Sequence, residues 1–361
     1  MFKSAAKVFP VICMCVFLAA AGAAGAEFSI EPIPAEAKEN FLKSKTAKNV
    51  IANDKYYVWG LSVAKWKDGR YHAYYNRWPK SRGFGAWLHS SEIVHAVAEK
   101  PEGPFETKNV VLKSRKSSGW GLVNSSNPYV CLANGKICLY YISNDISEIK
   151  AGVEESEILS QSWLSQNGKT VRNTQRIGVA IADRPEGPFR RSEFPAVVPH
   201  GNFKNIAVNP AVIYQDGSYM MIMKGDDARR EGWFRIQLIG ESETPEGPFK
   251  FDQKPVFAKR QTEDACIWYD KGLEEYFMVC HVLGGNDLRC FKSSDKKNWE
   301  PNSQPVFTEK HIKLDNGKIW NPRRMERPFV LTDSQGNPVM AYFSVLYEGR
   351  SGNVAVPVTK E

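Results

Sequence analysis

The sequence predicts an all-β protein whose fold is a five-bladed β-propeller of four-stranded antiparallel blades. One observation is the pentapeptide PEGPF, which occurs at residues 101–105, 185–189 and 245–249, each time after an alternating apolar run. A second observation is a set of five apolar strand pairs closed by short turns. Units of about 50 residues with four antiparallel strands are typical of propeller blades, and five such units fill the chain. A β-sandwich or two small barrels would also contain hairpins, but would not repeat one turn in register.

The strand pairs lie at residues 61–78, 128–143, 210–225, 265–282 and 328–345. Apolar and polar residues alternate within them, which marks half-buried strands. Asp-Gly and Asn-Gly pairs between alternating runs are strong hairpin signals. A longer interval follows the second pair. There we expect an insertion at about residues 144–175, with a short helix near 151–163, on the face where ligands bind.

The PEGPF block predicts one particular tight turn. Proline fixes its own φ, and the glycine of each block can adopt a positive φ without steric cost. The turn therefore delivers an aromatic side chain to a fixed place, namely Phe105, Phe189 or Phe249. A degenerate fourth copy at 287–301 has lost the prolines and carries Trp299 instead.

Residues 1–26 are predicted to be a secretory signal peptide, which leaves one propeller domain over 27–361. Lys3 and Lys7 precede a short apolar run that ends in small residues, and this is the layout of an exported precursor. A membrane anchor is the alternative, but the apolar run is short for a bilayer span and no charged stop follows it. We therefore expect a secreted or periplasmic protein without membrane association after cleavage.

Charge and cysteine content argue against several functional classes. The net charge is +8, but the Lys and Arg residues are dispersed, so nucleic acid is not an expected partner. The cation excess fits an anionic glycan, although solubility also explains it. Residues 27–361 contain an odd number of cysteines without a CxxC pair, which argues against a disulfide framework and a zinc site. We expect buried free thiols, with one optional bridge at most.

Chemically useful residues stand at the same position in each unit, directly before or at the start of the first strand. These residues are Trp59–Gly60, Asn127–Pro128, Asn209–Pro210, Glu263–Asp264 and Glu326–Arg327. The first strand of every blade lines the central channel of a propeller, so the side chains should converge on one axial pocket. Mutual repulsion and partial burial should raise the pKa of at least one of three carboxyls, as a general acid requires.

We predict that Glu263, Asp264 and Glu326 are catalytic, one as acid and one as base toward water, without dividing the roles among them. A carboxylic acid and a carboxylate base in one site are the groups that hydrolysis of a glycosidic bond requires. The alternative is a solvated loop at Glu263–Asp264 and a plain ion pair between Glu326 and Arg327.

Four further residues are predicted to bind the substrate. The amides of Asn127 and Asn209 would hold sugar hydroxyls, and the indole of Trp59 would stack on a sugar or serve as packing between blades. Arg327 would hold Glu326 ionised or bind an acidic sugar substituent bidentately. No metal or cofactor is required, although a carboxylate in the Lys224–Asp227 turn (KGDD) could ligate a structural calcium ion. The sequence predicts no particular oligomeric state.

Together these motifs resemble the five-bladed propeller glycoside hydrolases of families 43, 117 and 32, and most of all bacterial secreted sucrase-like proteins. The likeness runs from about residue 50 to 345 and is carried by YYVWGLSVAKWKDGRYHAYYNRWP, SSNPYV, QRIGVAIADRPEGPF, VNPAV, TEDACIWY and MERPFVL. In families 43 and 117 it implies an inverting mechanism with an aspartate base on the first blade.

The sequence departs from the resembled pattern at two places. Gly60, Leu61 and Ser62 stand where family 43 has the first-blade aspartate, and the nearest carboxylate is Asp54. In the second blade, Gly121 and Ser126 replace the Asp and His of sucrase-like proteins. We therefore consider two hypotheses: a secreted, exo-acting, inverting glycosidase, and a propeller that binds carbohydrate without cleaving it.

Overall fold

The computed structural model describes residues 26–115, 120–149 and 160–361, so the predicted signal peptide lies outside the described residues except for Ala26. The described residues form five antiparallel sheets of four or five strands, apart from one small hairpin. The first strands of neighbouring sheets contact one another in a closed ring. The predicted five-bladed propeller is thereby confirmed.

The described chain begins with two short strands and a helix, namely β1 (Phe28–Ile30), α1 (Ala35–Leu42) and β2 (Val50–Ala52). Blade 1 contains β3 (Tyr56–Lys65), β4 (Tyr71–Pro79), β5 (Glu92–Ala98) and β6 (Glu106–Leu112), with α2 (Trp87–Ser90) between β4 and β5. Blade 2 contains β7 (Ser126–Ala133), β8 (Lys136–Asn144), β9 (Gln175–Ala182) and β10 (Arg190–Arg191). The described part of the segment between β8 and β9 contains the helices α3 (Gln161–Gln166) and α4 (Gly168–Asn173), whereas most of the helix predicted near 151–163 lies outside the described residues.

Blades 3 and 4 also use four consecutive strands each. Blade 3 contains β11 (Phe203–Gln215), β12 (Ser218–Asp227), β13 (Arg235–Ser242) and β14 (Lys250–Phe251). Blade 4 contains β15 (Thr262–Asp270), β16 (Glu275–Val282), β17 (Asp287–Ser293) and β18 (Glu300–Glu309). A small hairpin follows, made of β19 (Ile312–Lys313) and β20 (Ile319–Trp320), and blade 5 begins with β21 (Arg324–Thr332), β22 (Pro338–Tyr347) and β23 (Arg350–Lys360).

The fifth blade is completed by strands from the other end of the described chain. β1 pairs with the end of β23, with Phe28 opposite Lys360, and β2 pairs with its middle, with Val50 opposite Val354. The Phe28 ring also packs edge-on against Trp268 of blade 4, with ring centroids 5.6 Å apart. This pairing joins the two ends of the propeller through one sheet and closes the ring of blades.

Each of the three PEGPF turns joins the third and fourth strands of its blade and contacts the preceding blade. Each contains a cis Gly–Pro bond and a glycine with φ between 86° and 92°. The hydroxyl of a tyrosine on the second strand of one blade donates to the first proline carbonyl of the next blade's turn. The donors are Tyr342 to Pro101 at 2.7 Å, Tyr74 to Pro185 at 2.8 Å and Tyr140 to Pro245 at 2.9 Å.

The phenylalanine that ends each PEGPF block packs edge-on against the same tyrosine. Ring centroids are 6.4 Å apart for Phe105 and Tyr342, and 5.9 Å apart for Phe189 and Tyr74. In blade 3 the equivalent position holds Ile222, which has no hydroxyl, and the turn that faces it in blade 4 is the one without prolines. The tyrosine donor and the proline-containing turn are therefore lost together.

The five described cysteines are buried and free, so the optional bridge is not formed. Their burial among apolar side chains of the blades agrees with the expected role as small core residues. Of the helices in the described ranges, none has the length and apolar character needed to cross a membrane.

Candidate active site

All five inner strands carry the same backbone irregularity near their first residues. Pairing with the second strand shifts register there in every blade, as a β-bulge does. One residue at each bulge has a positive φ: Gly60 (65°), Asn127 (48°), Asn209 (52°), Asp264 (60°) and Arg327 (54°). Glycine, asparagine and aspartate tolerate this conformation best, so the arginine stands out as strained.

The bulge explains how adjacent residues reach one pocket. Successive side chains of a regular strand point to opposite faces. At the start of β15, however, Glu263 and its neighbour Asp264 both line the same central cavity, and at the start of β21 the same holds for Glu326 and Arg327. In blades 4 and 5 the bulge thus brings two functional groups to the cavity instead of one.

Side chains from the bulges form a polar chain across the axis. Asn127 Nδ2 donates to Asn209 Oδ1 at 3.0 Å, and Asn209 Nδ2 donates to Asp264 Oδ1 at 2.5 Å. Arg327 Nη1 lies 3.4 Å from the same Asp264 oxygen. In the first blade a Cβ at Gly60 would lie only 2.8 Å from Asn76 Oδ1. The space that a side chain at position 60 would need is therefore filled by a side chain of the second strand.

A cavity of about 730 Å³ opens above this polar chain, lined by residues of all five blades and of α4. All seven predicted site residues line it: Trp59, Asn127, Asn209, Glu263, Asp264, Glu326 and Arg327. The structure thus brings together side chains that are up to 268 residues apart in the sequence. A second cavity of about 560 Å³ runs along β1 and β18 and is lined by none of these seven residues.

Glu263 is held as an anion. Lys224 Nζ donates to its Oε2 at 2.8 Å, and Arg235 Nη1 lies 3.5 Å from Oε1. Burial alone would raise the pKa of this carboxyl, but the two cations hold its pKa well below the ordinary range, at about 2. Glu263 is therefore ionised at any pH at which the protein would work, and its lone pairs are engaged.

Glu326 has the opposite environment. No hydrogen bond reaches its carboxyl from the described residues, and its nearest cation is the guanidinium of Arg324 at 3.7 Å. Burial raises the pKa of Glu326 to about 7, and the negative charge of Asp264 contributes to the rise. The predicted contact with Arg327 is wrong, because that arginine pairs with Asp264 of the adjacent blade.

Asp264 belongs to the polar chain and is 5% exposed. Its Oδ1 accepts both hydrogen bonds, from Asn209 and Arg327. Within the described residues Oδ2 has no hydrogen-bond partner, and it is not among the oxygens sealed from solvent. One oxygen is thus fixed by the protein, while the other is available to a molecule in the cavity.

A second layer of charged groups lies behind Glu263. His281 on β16 pairs with Glu263 across the sheet, and its Nδ1 lies 3.8 Å from Glu263 Oε1. Lys310 Nζ is 2.7 Å from His281 Nε2. Burial, followed by the charge of Lys310, lowers the pKa of His281, which favours the neutral imidazole. Because the Lys310 ammonium can only donate, Nε2 accepts from it and the ring proton is assigned to Nδ1.

The segment between β8 and β9 forms one wall of the cavity. Arg172 of α4 makes a bidentate ion pair with the fully buried Asp226, at 2.8 and 3.0 Å, and its guanidinium lies 4.2 Å from the centroid of the Trp233 ring. Asn205 Nδ2 also donates to Asp226, at 2.9 Å. Asp226, a predicted candidate for a calcium ligand or a turn, thus holds α4 against blade 3.

Sequence reasoning missed most of the cations in the cavity. Seven Lys and Arg residues line it, against three carboxylates: Lys169, Arg172, Lys224, Arg235, Arg323, Arg324 and Arg327. Lys224 and Arg235 lie on β12 and β13, so a search restricted to inner strands could not find them. Arg323 and Arg324 directly precede the predicted MERPFVL motif, and extending that motif by two residues would have revealed them.

No family model and no curated protein matches the sequence. Solved structures do resemble the fold. A family 117 glycoside hydrolase of the marine bacterium Zobellia galactanivorans, Zg3597, is 15% identical with a TM-score of 0.60, over 93% of this chain and 90% of that one. BT0996, solved as an RGII complex, is 13% identical with a TM-score of 0.62, over 90% and 95%. A thermostable family-43 glycoside hydrolase is 14% identical with a TM-score of 0.55, over 84% and 89%. This chain therefore shares its β-propeller fold with these solved structures, two of which are glycoside hydrolases of families 117 and 43.

Proposed function

We propose that this protein is a glycoside hydrolase that cleaves a glycosidic bond in its central cavity. The observation that carries the proposal is the contrast between two carboxyls at one end of the propeller. Burial raises the pKa of Glu326 to about 7, whereas cations hold that of Glu263 at about 2. Environments that push the pKa values of neighbouring carboxyls apart keep one protonated as a general acid beside an anionic one, and glycoside hydrolysis needs both forms in one site.

In this proposal Glu326 is the general acid. Its raised pKa keeps a substantial fraction of the carboxyl protonated at neutral pH, and it lines the cavity without a hydrogen bond to the described residues. As the bond between the anomeric carbon and the leaving-group oxygen breaks, Glu326 transfers its proton to that oxygen. The developing positive charge on the sugar is stabilised by the anionic Glu263 and Asp264.

Asp264 is the proposed base. Its Oδ1 is held by Asn209 and Arg327, while Oδ2 is free to accept a proton from water. The water oxygen adds to the anomeric carbon as its proton moves to Asp264, and a proton later returns to Glu326 from solvent. Glu263 is a poorer base because Lys224 and Arg235 already occupy its lone pairs. Inversion is the outcome implied by the resemblance to families 43 and 117.

Attack at a chain end is supported by the shape of the site. The hydrogen-bonded side chains from Asn127 to Arg327 line the cavity near the axis, and we propose that they close its inner end, so that a carbohydrate enters with one end. The surplus of Lys and Arg in the lining supports an anionic carbohydrate as the substrate. Secretion rests on the N-terminal segment, and a mature protein that begins at Glu27 in the culture medium or periplasm would support it.

The test is hydrolysis of a panel of neutral, sulfated and uronate-containing oligosaccharides by the wild type, Glu326→Gln and Asp264→Asn. We expect release of a terminal mono- or disaccharide by the wild type and a loss of about 100-fold or more in each variant. Glu243→Gln is the matched control, because this exposed carboxylate lies in the PEGPF turn region of blade 3. NMR of the first product reports the anomeric outcome, and a retained anomer would contradict the role of Asp264 as base toward water.

The second candidate is a carbohydrate-binding propeller without hydrolysis. It is favoured by Gly60, where Asn76 occupies the space of a first-blade aspartate. If the wild type binds a glycan in calorimetry but releases no sugar from any member of the panel, this candidate replaces the first.

A further inference from the structure

We propose that Lys169, Arg323 and Arg324 form a subsite at the mouth of the cavity that binds an anionic substituent of the carbohydrate, a sulfate ester or a carboxylate. This inference rests on the proposed glycosidase function and names the substrate class of the same site. All three residues line the central cavity and are exposed to solvent.

The deeper cations of the cavity are already matched by carboxylates of the protein. Lys224 and Arg235 share Glu263, and Arg327 pairs with Asp264. Arg172 is bound on both guanidinium nitrogens by Asp226. These residues contribute to the structure of the site, but their charges are largely compensated.

The mouth is different. Among the described residues Lys169 and Arg323 have no carboxylate within ion-pair distance, and the only carboxylate near Arg324 is Glu326 at 3.7 Å. Charged groups of one sign around a cavity raise the local concentration of ions of the other sign. The uncompensated positive charge therefore lies where an incoming carbohydrate first meets the protein.

The chemistry at Glu326 strengthens the need for an anion at Arg324. A general acid must be protonated when the substrate binds, and protonated Glu326 carries no charge to compensate Arg324. In that state the remaining carboxylates of the lining are Glu263 and Asp264, which already pair with Lys224, Arg235 and Arg327. A substrate anion would supply the missing counter-charge to Arg324, whereas a neutral sugar would not.

The elements that carry the three residues are well anchored. Lys169 lies one turn before Arg172 on α4, and the Arg172–Asp226 ion pair holds that helix in place. Arg323 and Arg324 lie at the start of β21, and the Arg324 guanidinium is 5.8 Å from the centroid of the Phe84 ring. Arginine can bind both oxygens of a carboxylate or a sulfate in a fork geometry, so both substituents fit this chemistry.

Binding by calorimetry to Glu326→Gln, in which hydrolysis is blocked, tests the subsite. The probes are a sulfated galacto-oligosaccharide, its desulfated counterpart and an oligogalacturonide of similar length. We expect at least one anionic probe to bind about tenfold more tightly than the neutral one, and to lose about tenfold in affinity in Arg324→Gln and in the double variant Lys169→Ala with Arg323→Ala. The stronger of the two anionic probes identifies the substituent.

Lys100→Ala is the matched control, because Lys100 is an exposed cation beside the PEGPF turn of blade 1, at the opposite end of the strands. This substitution should leave all three affinities as they are. Melting temperatures close to that of Glu326→Gln would show that the variants at Arg324, Lys169 and Arg323 are folded. Charge reversal by Arg323→Glu should weaken the binding of anionic probes further, and the protein should stay folded because Arg323 is exposed.

The outcomes separate the two proposals. Equal affinity for neutral and anionic probes, or no loss in the mouth variants, overturns the subsite, while hydrolysis of neutral glycans would leave the glycosidase intact. Conversely, anionic binding that depends on Arg324 in a protein that hydrolyses nothing supports the subsite and overturns the glycosidase.

Discussion

Replacement of Glu326 by glutamine should make the folded protein more stable at neutral and alkaline pH, and the gain should vanish in acid. The pKa of this carboxyl is raised by burial from the ordinary 4.5 to about 7. A group with a raised pKa contributes its stability fully below the unfolded-state value and loses it as the pH rises through the folded-state value. Wild-type stability should therefore fall between about pH 4.5 and 7 relative to the variant.

The size of the effect follows from the two pKa values. One pH unit corresponds to about 1.4 kcal/mol, so the difference between 4.5 and about 7 corresponds to about 3 kcal/mol at pH 8. The side chain is 24% exposed, and solvent screening reduces the expected value to about 2 kcal/mol. This is a large fraction of the stability of a typical domain.

Urea unfolding of wild type and Glu326→Gln from pH 4 to pH 8 measures this difference without any knowledge of the substrate. A constant offset between the two proteins would reflect packing of the amide, so the informative quantity is the change of the difference with pH. Glu243→Gln, at an exposed carboxylate, should show no such change. If the difference between wild type and Glu326→Gln stays flat from pH 4 to pH 8, the raised pKa, and with it the assignment of Glu326 as acid, is refuted.

Three other substitutions test the site and the fold. Lys224→Met removes the main cation that holds the pKa of Glu263 at about 2. We expect urea unfolding to show a loss of about 2 kcal/mol in the free energy of unfolding at pH 7, and this loss should shrink as the pH falls because Glu263 can then be protonated. An equal loss at pH 3 and pH 7 would contradict this prediction. Tyr140→Phe deletes the hydroxyl that donates to the next blade's PEGPF turn at 2.9 Å; it should cost about 1 kcal/mol, and no measurable loss would show that the bond contributes nothing. Gly60→Ala forces a Cβ to 2.8 Å from Asn76 Oδ1 at a φ of 65°. We expect thermal unfolding to show a loss of stability of at least about 1 kcal/mol. Unchanged stability would mean that Asn76 does not fill the space beside Gly60.

The repeat was predictable because it is local. Gly and Pro at fixed positions in PEGPF and the alternation of the hairpin strands act within a few residues, so both could be read without knowing what they contact. The function of the turn was not predictable in the same way. It became visible only with the tyrosines that donate to the turns, such as Tyr140, which belongs to the neighbouring blade.

The closure of the fifth blade shows a limit of the same kind. β1 is three residues long and carries no alternation strong enough to mark a strand. Its conformation is determined by pairing with β23 and by the contact of Phe28 with Trp268. Interactions between residues so far apart in the chain leave no local pattern in the sequence.

For the site, sequence by itself determined which carboxylates approach the axis, because the start of each inner strand must lie there in a propeller. Tertiary structure alone decided their protonation. Glu263 and Glu326 occupy equivalent positions in adjacent blades. Lys224 and Arg235 of blade 3 lower the pKa of Glu263, whereas burial and the charge of Asp264 raise the pKa of Glu326. The physical reason is that a pKa depends on charges and solvent within a few ångströms, and those neighbours come from other blades rather than from residues adjacent in the chain.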